Sequence, residues 1–159
     1  MAPGLDDAPE CTPGDSAQEA AERAAKAWPG KTILFFDGNC GLCQRSVQFF
    51  LNRDKRGAVL YAPLQGATAA ALVPAADRER LDSMVVAHEG VLYRHSTAAL
   101  VLITQLGGAW KWLATLGYCV PRVLRDVGYR VVASNRYRMF GKADACRLPQ
   151  PGERARFLD

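Results

Sequence analysis

The sequence predicts an α/β fold: a central mixed sheet of about four strands, helices on both faces, and a C-terminal helical extension. Three observations carry that expectation. Residues 32–62 read strand, helix, strand over about 30 residues, the spacing of a βαβ unit with a parallel pair and a right-handed crossover. Residues 83–95 read as two short apolar strands around His88, Glu89 and Gly90, a hairpin with a three-residue loop. From Thr97 onward the patterns are helical.

Length and charge set the frame. A chain of 159 residues, 49% apolar and 23% charged, suffices for one domain with its own core. Asp6, Asp7, Glu10, Asp15, Glu19 and Glu22 outnumber Arg23 and Lys26 at the start, so the net +4 is concentrated in the remainder. The bland reading of that basic body is solubility charge. Residues 1–29 are expected to be a disordered acidic tail, with a loose helix from Ser16 to Ala27. The opening MAPGLDDAPECTPGD lacks the basic and apolar regions of a secretory signal. Five cysteines, Cys11, Cys40, Cys43, Cys119 and Cys146, are an odd set for a disulfide scaffold. A cytoplasmic protein with reduced thiols is expected.

The domain is expected over residues 30–149. Thr32 to Phe36 (TILFF) is a continuous apolar run, the mark of a strand buried on both faces. Asp37, Gly38 and Asn39 break it. A helix follows from Gly41, with Cys43, Val47 and Phe50 on one face and Gln44, Arg45, Gln48 and Asn52 on the other. Gly57 suits its end, and Ala58 to Ala62 is the second strand. Alanine-rich residues to Val73 suggest a short helix. After the hairpin, Ser96 is placed to cap a helix from Thr97 to Leu106, ended by Gly107 and Gly108. Two further helices are predicted, Ala109 to Gly117 and Pro121 to about Tyr137. The order β-α-β-α-β-β-α is the thioredoxin topology. Between His95 and Pro121 Lys111 is the only certain charge, but Gly107, Gly108, Gly117 and Lys111 itself argue against a transmembrane span. An amphipathic helical pair packed on the domain is expected, without membrane-surface contact through Trp110, Lys111 and Trp112. Residues 150–159 read as a flexible tail.

Cys40 and Cys43 form a C-x-x-C at the turn from strand into helix. A first helical turn offers unpaired N–H groups and a positive dipole end, which favour a thiolate. Cys40, at the helix start, is expected to be the exposed attacking sulfur. Cys43, one turn in, is expected to be more buried and to resolve the mixed disulfide. Asp37 stands nearby, either as a proton acceptor for Cys43 or as a turn aspartate bonded to backbone N–H groups. Zinc would need two more ligands from Cys119, Cys146, His88 or His95, whose spacing is poor; no metal and no cofactor is expected. Arg122, Arg125, Arg130, Arg136 and Arg138 read as a solvated basic helix, and nucleic acid is not an expected partner.

The chain resembles the DCC family of thiol-disulfide oxidoreductases. The likeness rests on FFDGNCGLC at 35–43, YAPLQ at 61–65, LDSMVV at 81–86, NRYRMFG at 135–141 and DACRLP at 144–149. It implies a thioredoxin-like fold, redox activity on protein or low-molecular-weight thiols and disulfides, and Asp37, Cys40 and Cys43 as signature positions. Pro63, Gln65, Ser83 and Ser96 are candidate substrate-binding residues, and Cys146 is either a third redox thiol or a packed one. Where thioredoxins and glutaredoxins carry a cis-proline, this chain reads Arg80 to Ser83 without one. A binding module that keeps the fold without the chemistry is the alternative reading.

Overall fold

The computed structural model describes residues 17–80, 84–141 and 151–158. Its elements are α1 (Ala17–Ala27), β1 (Thr32–Phe36), α2 (Gly41–Arg53), β2 (Val59–Pro63), α3 (Ala67–Leu72), α4 (Ala75–Arg80), β3 (Val85–His88), β4 (Val91–Arg94), α5 (His95–Gln105), α6 (Ala109–Cys119) and α7 (Arg122–Phe140), with a 3-10 turn at Arg154–Arg156. Ser83, Leu81 and Cys146 lie outside the described residues.

The strand order is β2-β1-β3-β4. β1 pairs in parallel with β2, from Thr32 opposite Val59 to Phe36 opposite Pro63. It pairs antiparallel with β3, where Leu34 faces Val86. All five residues of β1 are buried, which is why the run is continuously apolar rather than alternating. The two-residue period divides them. Ile33 and Phe35 enter one core with Ala24, Leu60, Leu72 and Val85. Leu34 and Phe36 enter the other with Val47, Phe50, Ala98 and Leu102. Fully burying each large side chain contributes about 2 kcal/mol. A mixed four-stranded sheet with helices on both faces is the thioredoxin-like arrangement that the sequence predicts.

Several elements differ from the expectation, each for a local reason. The helix expected over Ser16 to Ala27 forms as α1, but it is packed on α3, β3 and β4 rather than loose. Ala20, Ala21 and Ala24 are buried; small side chains allow close approach but leave no conspicuous apolar stripe in the sequence. Residues 151–158, expected to be flexible, dock on β2. Leu158 N donates to Tyr61 O at 2.8 Å, and the Phe157 ring lies 5.4 Å from that of Tyr61. The hairpin loop is two residues, not three: Glu89 and Gly90 have φ of +48° and +76°, the pairing of a type I′ turn. His88 therefore extends β3. α5 starts at His95, and no side chain caps it. Ser96 is not the cap; its hydroxyl donates to Asp126 Oδ1 on α7 at 2.5 Å. The segment after Leu72 adds a separate short helix, α4. No helix among the described residues is long and apolar enough to cross a membrane.

Candidate active site

The end of β1 delivers a tight turn. Cys40 N donates to Asp37 O at 3.2 Å, and Gln44 N donates to Cys40 O at 3.0 Å, so the helix begins within one turn of the strand. Cys40 is the N-cap of α2, with extended backbone (φ −99°, ψ 119°). Its sulfur accepts from Cys43 N at 3.4 Å, the place that a serine or aspartate oxygen takes at other helix starts. Gln44 folds back to donate to Gly38 O at 2.8 Å. Both cysteines are free thiols.

Burial runs opposite to the expectation. Cys40 has 0% exposure, whereas Cys43 is half-buried. Beside Cys40, the end of α7 crosses the start of α2. Gly41 N donates to Gly141 O at 3.4 Å. A Cβ on Gly41 would stand 2.6 Å from Phe140 O, so only glycine admits this approach. Gly141 turns the chain there with φ +72°.

α7 also brings its side chains to Asp37. This carboxylate is 2% exposed and accepts from Asn39 N at 3.0 Å, Gln65 Nε2 at 3.1 Å, Arg136 Nη2 at 3.4 Å and the Tyr137 hydroxyl. Gln65 Oε1 accepts in turn from Gly38 N at 3.3 Å. Arg136, which the sequence assigns to a solvated face, is 5% exposed. Its Nη2 also donates to Tyr137 Oη at 3.1 Å.

The protons follow from this packing. Burial pushes the Cys43 thiol from its ordinary 9.0 up to about 12, aided by the hydrogen bond to Cys40 and the charge there, and opposed by the Arg136 cation and a hydrogen bond from the Asp37 backbone. Burial acts to lower Arg136, but its bond to Tyr137 and the negative charges of Tyr137, Cys43 and Cys40 outweigh that and raise it. Tyr137 is raised by burial and by donating to Asp37. At neutral pH Cys43 is a thiol, Tyr137 a phenol and Arg136 a cation.

The other candidate residues scatter. Pro63 ends β2 opposite Phe36. Gln65 joins the Asp37 cluster, but Ser96 is held by α7 through Asp126. Arg45 is exposed, its guanidinium 5.7 Å from the Phe140 ring centre. Cys119 is exposed on α6. His88 Nδ1 and Thr32 Oγ1 share a hydrogen bond of 2.8 Å, and His95 packs edge-on against Tyr129. Among the described residues no three His, Cys, Asp or Glu side chains gather as a metal site would require. Arg136 and Tyr137 are the site residues that the sequence reading missed; their signal was the NRYRMFG stretch, used there only as a mark of resemblance.

Comparison with known proteins gives the family. The family model of DCC1-like thiol-disulfide oxidoreductases matches residues 34–142, which span the cysteine pair, Gln65, Arg136 and Tyr137. The uncharacterized protein YuxK of Bacillus subtilis (strain 168) is 40% identical over 128 residues, covering 79% of this chain and 93% of that protein. The chloroplastic DCC family protein At1g52590 of Arabidopsis thaliana is 31% identical over 120 residues, covering 74% of this chain and 70% of that one. No solved structure matches. With the model covering well over half of its length and both relatives aligned across most of theirs, this chain belongs to the DCC1-like thiol-disulfide oxidoreductase family.

Proposed function

We propose that the protein is a dithiol–disulfide oxidoreductase in which Cys40 attacks and Cys43 resolves. The observation that carries this reading is the division of labour within the pair: Cys43 holds its proton up to about pH 12, while the Cys40 sulfur sits at the helix start and accepts from Cys43 N. In the oxidoreductase cycle the Cys40 thiolate attacks one sulfur of a client disulfide. A Cys40–client disulfide forms and the client's other sulfur leaves as a thiolate. Cys43 then attacks Cys40, its proton passing to the departing client thiolate. The client gains two electrons, and the Cys40–Cys43 pair is oxidised to a disulfide. Reduction of that disulfide by a second dithiol closes the cycle.

In this proposal Asp37 is a positioning residue. Four donors occupy its carboxylate, and through it the Arg136 cation is held beside the two sulfurs. Gln65 and Pro63 shape the wall at the end of β2. In this reading client access to Cys40 requires its cover to open, because the residue is fully buried, and the end of α7 over neighbouring Gly41 is the element proposed to move.

Trapping tests the roles. Cys43→Ser is expected to accumulate a stable Cys40 mixed disulfide with a model client such as oxidised glutathione or a disulfide peptide; Cys40→Ser is expected to form none. Equal, slow alkylation of both cysteines in the wild type and no mixed disulfide in Cys43→Ser would reject the reading. The full burial of Cys40 favours one rival, a thioredoxin-like binding module without redox chemistry. Serine at both positions with cellular function retained would select that rival.

A further inference from the structure

α7 is amphipathic in an unusual sense: its apolar stripe faces out. Val123, Leu124, Val127 and Val131 recur at helical spacing and are 78%, 63%, 52% and 58% exposed. The opposite side carries Asp126, Tyr129 and Arg136, the residues that tie the helix to the domain. α6, which leads directly into α7, exposes Trp112 and Leu116 as well, at 79% and 66%. A soluble helix normally buries such a stripe, and contiguous exposed apolar surface marks a docking face.

Charge identifies the occupant. Residues 109–141 hold six Lys and Arg and a single acid. That acid, Asp126, is engaged by Ser96 and lies 3.5 Å from Arg122. Lys111, Arg122, Arg130 and Arg138 are exposed on the same two helices, Arg130 and Arg138 at helical spacing from Val127 and Val131. A second copy docking here would bring cations against cations with no free acid to meet them. An anionic lipid surface satisfies both halves of the face, since acyl chains accept the apolar stripe and headgroups accept the cations. Tryptophan is the aromatic residue suited to that boundary.

Against the sequence expectation of no membrane-surface contact, we propose that the exposed apolar and basic faces of α6 and α7 dock the protein peripherally on anionic membranes. The helices lie on the surface and do not cross it. This proposal is independent of the redox reading.

The test is flotation of the full chain with phosphatidylcholine vesicles, with and without phosphatidylglycerol. Binding is expected only with the anionic lipid, reversed by high salt, and with a blue shift of tryptophan emission. Arg130→Gln with Arg138→Gln is expected to weaken partition by roughly ten- to thirty-fold, about 1 kcal/mol per cation. Val127→Asp is expected to abolish flotation with circular dichroism unchanged, and should that variant misfold, the arginine pair still decides. No flotation with anionic vesicles overturns the proposal, as does equal binding to neutral ones. A concentration-dependent dimer that Val127→Asp dissolves would also overturn it and assign the face to a second copy. Flotation unaltered in the arginine variant would refute the electrostatic half.

Discussion

Arg136 Nη2 lies 3.4 Å from Asp37 Oδ2, joining two residues 99 positions apart and both almost fully buried. The contact fixes the last turns of α7 over the strand-to-helix corner that carries the cysteines. One ion pair thus links the C-terminal helical extension to the C-x-x-C motif. It also places a cation within electrostatic reach of both sulfurs.

Breaking that pair is expected to cost stability first. Removing one partner of a buried ion pair typically costs about 3–5 kcal/mol. Arg136→Gln should fall near the low end, because Asn39, Gln65 and Tyr137 still bond the carboxylate. Urea titration of Asp37→Asn, Arg136→Gln and the double variant measures the coupling. The double variant should lose clearly less than the sum of the single changes. Strict additivity would show that the two side chains do not interact.

Gly41→Ala tests the crossing of α7 over α2. Alanine is the better helix former by at most about 1 kcal/mol, but its Cβ would stand 2.6 Å from Phe140 O and 3.2 Å from Gly141 O. Both are backbone atoms, and overpacking typically costs about 1–3 kcal/mol. The clash wins: roughly 1–2 kcal/mol should be lost. The strain is relieved by displacing the end of α7, so Cys40 should be alkylated faster than in the wild type. A variant that is more stable, with unchanged Cys40 labelling, would show that the crossing is looser than it stands here.

The strands and the corner were legible because their signals are local. TILFF announces a doubly buried strand, and C-x-x-C at its end places two sulfurs on the first turn of α2. The relative burial of Cys40 and Cys43 was not legible, because the local pattern is silent on what crosses the corner: Phe140 and Gly141, about a hundred residues away, meet Gly41 there. Arg136 was misread for a related reason. Helical spacing would assign Val123, Leu124, Val127 and Val131 to the interior and Arg136 to solvent, and the fold inverts both, while Arg122, Arg130 and Arg138 stay exposed. Inversion becomes possible when the inward polar groups have partners, as Arg136 has Asp37 and Asp126 has Ser96. The packing of α1, though not the helix itself, escaped for the opposite reason, since its buried alanines carry no apolar signature.

Asp54 and Arg156 make a second long-range anchor. Arg156 Nη2 lies 2.5 Å from Asp54 Oδ2, and the carboxylate also accepts from Val59 N at 2.9 Å. The Asp54 side chain is fully buried and that of Arg156 largely so. Arg156→Ala strands a buried carboxylate and removes the clamp that seats Phe157 beside Tyr61. A loss of about 3 kcal/mol is expected in denaturant unfolding. Deleting residues 150–159 should cost at least as much. Wild-type stability in the truncated chain would show that this segment is the loose tail its sequence suggests.

Cys43 makes stability fall in alkali. Its pKa is raised in the folded state, from an ordinary 9.0 to about 12, so folding favours the protonated thiol. The resulting stabilisation is complete below about pH 9 and is lost as pH rises from about 9 to about 12, where the folded thiol also ionises. Tyr61 is raised by burial in the same direction, so it adds to the alkaline loss and must be held constant in the comparison. Cys43→Ala keeps Tyr61 and removes the thiol. Unfolding free energies of the two proteins across that interval should therefore converge, with the wild type losing more. Parallel curves would mean that the Cys43 proton is no better held in the folded protein than in the unfolded chain. The distinction between an attacking and a resolving sulfur would then lose its electrostatic basis.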